Sequence, residues 1–218
     1  MNAAVSIPLW ANLLAVGIGS LQGALFAAQF RDRRLDLLGV AIIGVATGFG
    51  GGILRDILLS QIPQPLLSNW YLPVATASAL IGMLLQRIFT RIQPLITALD
   101  ALTIGLFGAI GTTAALVAGL PAIPAVFVGA VSAVGGSILR DLLLNVPIAL
   151  MQVGSLYAVA ALVGAGSLVV LVAFGVDHVV AAVVCVVLTF VVRVLAVLFH
   201  WTLPEQRPLR RGSRDAAA

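Results

Sequence analysis

The segment Gly50-Gly51-Gly52-Ile53-Leu54-Arg55-Asp56 returns 85 residues later as Gly135-Gly136-Ser137-Ile138-Leu139-Arg140-Asp141, and each copy lies within a long apolar stretch. A glycine cluster followed by an Arg–Asp pair makes a poor lipid-facing helix. Glycine loosens the helix, and each charge at bilayer depth costs about 2.5–3.5 kcal/mol even on the lenient insertion scale. Finding this device twice implies two related halves, each with a breakable helix lining something polar. The same offset pairs Gly23 with Gly108, Leu35 with Leu120, Gly44 with Gly129, and Leu58-Leu59 with Leu143-Leu144.

The surrounding composition sets the class. Of 218 residues, 61% are apolar and 9% charged, against about 25% charged in a soluble domain. Mean hydropathy is +1.15. Apolar runs of about 20 residues suit helices, whereas a barrel shows short alternating segments. The chain therefore reads as an all-α membrane protein. Its net charge of +4 comes from arginine, since lysine is absent; with so few charges this is no sign of nucleic-acid binding. Cys185 alone supports neither a disulfide nor a metal cluster, and no metal or cofactor is expected. The N-terminus lacks the basic region of a signal peptide, so the first apolar segment is expected to be retained.

Seven spans are expected, at about 9–30, 37–60, 70–89, 94–117, 122–146, 153–175 and 179–202. Arg31, Arg33 and Arg34 follow the first, Arg87 and Arg91 the third, and Arg207, Arg210, Arg211 and Arg214 the seventh. An odd number of spans puts all three clusters on one side, which the positive-inside rule makes cytoplasmic, with the N-terminus outside. Trp10, Trp70, Tyr71 and Trp201 fall at span ends, as an aromatic belt requires. One membrane domain results: a repeat at about 9–89, a second at about 94–175, helix 7 at about 179–202 and a basic cytoplasmic tail, 203–218. That tail is a solvated topology anchor, or a contact for anionic lipid. Three spans per unit is an odd number, so the second unit enters upside down, the inverted-repeat plan of many transport proteins.

If each helix breaks at its glycines, Asp56 and Asp141 sit in the first turn after the break, and freed carbonyls face a polar path. The bland alternative is that the glycines only let helices pack closely, as Gly19-x-x-x-Gly23 does in such a reading. Adjacent residues lie about 100° apart on a helix and do not face each other well, so the partners of each Arg–Asp pair are expected on other spans. Asp100 and Arg193 supply the remaining intramembrane charges, giving three of each sign. Either these charges staple the bundle together or they set the charge of a water-filled path. Enzyme chemistry is not expected. Gly48-x-Gly50-x-x-Ile53 fails the dinucleotide fingerprint, and His178 and His200 flank span 7, away from Ser137.

Seven spans, a duplicated three-helix unit and Gly-Gly-Gly/Ser-x-x-Arg-Asp in spans 2 and 5 resemble the prokaryotic relatives of the trimeric intracellular cation (TRIC) channels. That group overlaps a bacterial membrane family labelled glycine transporters. The resemblance covers about residues 10–203 and rests on Gly50, Gly51, Gly52, Arg55 and Asp56, with Gly135, Gly136, Ser137, Arg140 and Asp141. It implies a homotrimer in the prokaryotic inner membrane, one pore per subunit lined by kinked helices 2 and 5, passing potassium or sodium. Animal members carry a lysine-containing motif here; Arg55 and Arg140 stand in its place. The rival reading is a secondary transporter or exporter of glycine or a similar zwitterion, because inverted repeats serve both classes.

Overall fold

The computed structural model describes residues 7–30, 35–88, 93–152 and 156–202, without the side chains of 87 and 88. The expected basic clusters at 31–34, 87–91 and 207–214 lie outside the described residues or side chains. Among the described residues seven α-helices follow one another: α1 Leu9–Ala27, α2 Leu37–Leu58, α3 Tyr71–Ile88, α4 Gln93–Val117, α5 Ala122–Leu143, α6 Tyr157–Ala173 and α7 His178–Leu198. Five are long and apolar enough to cross a membrane, while α3 and α6, the third helix of each unit, are shorter apolar helices.

Local chemistry sets the helix ends. Pro8 and Pro121 precede α1 and α5 with extended backbone, and proline is well tolerated there because the first helical amides lack partners anyway. Asp36 caps α2 by accepting the Gly39 amide at 2.6 Å. Asp177 caps α7, taking the Val179 amide at 2.8 Å and the Val180 amide at 3.4 Å. Asp177→Ala is expected to destabilise by about 0.5–2 kcal/mol; thermal unfolding in detergent reads this, and an unchanged midpoint refutes the capping role.

Helices α2 and α5 end alike. Ser60 and Asn145 adopt left-handed backbone, φ 54° and 47°. The Gln61 amide returns to the Asp56 carbonyl at 2.8 Å and the Val146 amide to that of Asp141 at 3.0 Å, closing Schellman turns that satisfy terminal carbonyls. Short 3-10 turns follow at Gln64–Leu66 and Ala149–Met151, again 85 residues apart. The duplication thus extends from sequence to backbone.

Small residues let the helices approach. A Cβ on Gly44 would lie 2.8 Å from the Ser20 carbonyl oxygen, and one on Gly23 would fall 2.5 Å from Thr47 Cβ. Side chains such as Val180, Val183, Val187 and Val191 on α7 remain exposed. Lipid is as apolar as valine, so exposure there carries no penalty in a membrane.

Candidate functional site

The glycine motifs meet each other. A Cβ on Gly50 would lie 3.0 Å from Gly136 Cα, and one on Gly135 would lie 3.2 Å from Gly51 Cα. A Cβ on Gly51 would strike the Ser132 carbonyl oxygen, and one on Gly136 the Thr47 carbonyl oxygen. Positions 51 and 136, like 47 and 132, are repeat equivalents, so the contact is reciprocal, as at a two-fold interface. Gly52 differs: a Cβ there would meet only the Phe107 ring, at 3.7 Å.

This corrects the expected helix break. Both α2 and α5 run unbroken through their glycines, and Asp56 and Asp141 stand in the last helical turn, not the first turn after a break. Away from water, an unsatisfied backbone amide or carbonyl costs several kcal/mol. The helices therefore keep their internal hydrogen bonds and use the missing side chains to cross in backbone contact. For Gly50, Gly51, Gly135 and Gly136, the close-packing alternative describes what is found.

The expectation that the two charges of each Arg–Asp pair do not face each other is corrected, while that of partners on other spans holds beside it: Arg140 also meets Asp100 on α4 and Arg55 reaches Asn12 on α1. Arg55 donates from Nε to Asp56 Oδ1 at 2.8 Å, with Nη2 at 2.7 Å from the same oxygen. Arg140 donates from Nε and Nη2 to Asp141 Oδ1 at 2.9 and 2.8 Å. The long arginine stem bridges the angular gap. The second carboxylate oxygen is fixed by the loop: Gln64 N–H donates to Asp56 Oδ2 at 2.8 Å, and Ala149 N–H to Asp141 Oδ2 at 2.9 Å. A carboxylate at a helix C-terminus opposes the macrodipole; the neighbouring guanidinium and the loop amide offset that.

The two pairs occupy opposite ends of the bundle. Around Arg55 gather the start of α1 and the ends of α2 and α4. Arg55 Nη1 donates to Asn12 Oδ1 at 3.4 Å, Tyr71 Oη to Gln64 Oε1 at 3.4 Å, and a cavity of about 390 Å³ opens beside them. Around Arg140 gather the end of α1, the starts of α4 and α6 and the end of α7. Asp100 lies 3.7 Å from Arg140 Nη1 and 3.6 Å from Arg193 Nη2, and accepts from Gln22 Nε2 at 3.3 Å. The guanidinium carbons of Arg140 and Arg193 stand 3.9 Å above the Phe26 and Tyr157 rings, where the ring faces favour positive charge. Arg55 is 3% exposed, Arg140 1%, Asp100 5% and Arg193 7%; balanced charge and near-complete pairing make such burial tolerable.

All the sequence-chosen charges therefore fall into these two clusters, and Ser137 instead returns its hydroxyl to the Val134 carbonyl. Asn12, Gln22, Gln64, Phe107 and Tyr157 were not anticipated. Asn12 and Gln22 were visible as amides in an otherwise apolar span; Phe107 carried no such signal.

The profile of the glycine-transporter family matches residues 9–87 and 97–173, the two three-helix units. A UPF0126 membrane protein of Deinococcus radiodurans is 36% identical over 160 residues, covering 72% of this chain and 73% of that protein. The chain belongs to this glycine-transporter (UPF0126) membrane family. The family member YadS, a UPF0126 inner membrane protein of Escherichia coli K12, is 29% identical over 199 residues, 89% of this chain and 94% of YadS. Among solved structures, a TRIC cation channel studied for its conductance superposes with TM-score 0.80 and 31% identity, covering 92% of this chain and 97% of that one. The TRIC orthologue from Rhodobacter sphaeroides gives 0.81 and 27%, covering 88% and 98%. The family member described here is an integral membrane protein with the TRIC channel fold, and its family and fold are those of membrane channels and transporters.

Proposed function

We propose that the protein is a monovalent cation channel, chiefly for potassium, assembled as a homotrimer with one path in each subunit of a prokaryotic inner membrane. The observation that carries this reading is the shared fold with cation channels over about nine-tenths of the chain. The site supports it physically. Repeat-equivalent Arg–Asp pairs at opposite ends of one bundle fit two oppositely inserted units, with the N-terminus outside and the C-terminus in the cytoplasm. The path runs beside the α2–α5 crossing, from the cavity at Arg55 toward the Asp100, Arg140 and Arg193 cluster. In the state described here both arginine clusters are buried, so conduction requires the second cluster to part. Pairing keeps the arginines from repelling cations, and no catalytic role is assigned to any residue.

Purified protein in planar bilayers is expected to give discrete unitary currents whose reversal potential follows an imposed potassium gradient. The second reading, export or uptake of glycine or a similar zwitterion, draws on the family's description. Saturable, counterflow-competent glycine transport in liposomes without unitary current would replace the channel by the transporter.

A further inference from the structure

The cavity at the Arg55 end differs from an ordinary cation vestibule. Its floor is formed by the nearly buried Arg55 and Asn12, and its rim by Gln61, Gln64, Val117 and Ala118. No acidic side chain lines it among the described residues. Asp56 is fully buried and turned away: one oxygen takes Arg55 Nε and Nη2, the other the Gln64 amide. The guanidinium stands between that carboxylate and Asn12, and its Nη1 reaches Asn12 only at a long 3.4 Å. The cavity is thus furnished with one cationic donor and three amide side chains.

We propose that this cavity binds a small free carboxylate, held by Arg55 Nη1 and the amides of Asn12, Gln61 and Gln64. Charge-assisted hydrogen bonds from a planar guanidinium suit a carboxylate, and the second carboxylate oxygen reaches a neighbouring amide. A volume of about 390 Å³ holds about a dozen waters at liquid density, room for a ligand of a few heavy atoms plus its hydration. An ammonium group finds no carboxylate to pair with, so simple carboxylates are favoured over glycine. Asp56 opposes a second negative charge through the guanidinium, which places the affinity in the weak range. Binding needs no conduction; its consequence for current, a negative charge added at the mouth of the path, rests on the proposed function.

Saturation-transfer NMR and calorimetry on the full-length protein in detergent, with choline formate, choline acetate, choline chloride and glycine as probes, test this. Formate and acetate are expected to bind saturably and displace each other, with glycine and chloride at least tenfold weaker. Arg55→Lys, which keeps the charge but loses the fork, is expected to weaken formate about tenfold. Ala118→Phe at the exposed rim fills the cavity without touching the Arg–Asp pair and is expected to abolish binding; it decides the matter if Arg55→Lys does not fold. Absence of formate binding, binding unchanged by Ala118→Phe, chloride binding as tightly as formate, or glycine binding alone overturns the proposal. Because the readout is binding, its failure leaves the bilayer result untouched, and the reverse.

Discussion

Replacing Gly51 and Gly136 together by alanine is expected to produce the largest loss of folded protein of any pair of single-methyl additions in the chain. Each new Cβ strikes a carbonyl oxygen of the facing helix, Ser132 for position 51 and Thr47 for position 136. Backbone cannot swing aside as the tip of a flexible side chain can. Overpacking costs about 1–3 kcal/mol per site, and because both sites share one crossing their effects will not simply add. Gly52→Ala is the matched control, since its Cβ meets only Phe107 at 3.7 Å and alanine favours helix by roughly 0.5–1 kcal/mol. The second repeat already carries a side chain there, Ser137. Thermal unfolding in detergent should show a lowered midpoint for the double variant and no loss for Gly52→Ala. Equal midpoints for both would mean that α2 and α5 do not meet at these glycines.

Asp100→Asn is expected to be nearly as damaging by another route. Asp100 pairs with Arg140 and Arg193 and takes a hydrogen bond from Gln22, all within the buried interior. Neutralising it removes the carboxylate that faces both the Arg140 and the Arg193 guanidinium groups. Breaking a buried pair from one side typically costs about 3–5 kcal/mol, because the remaining charge stays desolvated. Removing a positive charge as well should restore balance, so Asp100→Asn combined with Arg193→Met should be less destabilised than the sum of the single changes. A double-mutant cycle on unfolding free energies reads this coupling, expected at about 0.5–3 kcal/mol. Strict additivity would mean that the two side chains do not interact.

These two sites mark where the sequence was readable and where it was not. The span expected at 37–60 is the helix Leu37–Leu58, and that at 122–146 is Ala122–Leu143. The excess residues at each C-terminus belong to Schellman turns at Ser60 and Asn145. Those turns were overlooked because neither carries the glycine that usually announces one. The glycine motifs stand out in the sequence, but the same missing Cβ permits a broken helix and a close crossing, and the helices take the crossing. Arg55 and Asp56 stand out in the sequence for their burial cost, whereas the hold on the second carboxylate oxygen by a loop amide, that of Gln64, eight residues beyond Asp56, does not.

Apolar length, the doubled motif and the balance of intramembrane charge determined that this chain is a helical membrane protein that carries one buried motif twice. Each of these is a one-dimensional property, settled by transfer of successive residues from water to hydrocarbon. Which faces touch was decided only in three dimensions. Whether Gly51 loosens α2 or seats α5, and whether Asp100 meets one arginine or two, turns on contacts between residues far apart in the chain. Hydropathy is blind to those contacts, whereas close packing and Coulomb attraction depend on separations of a few ångströms.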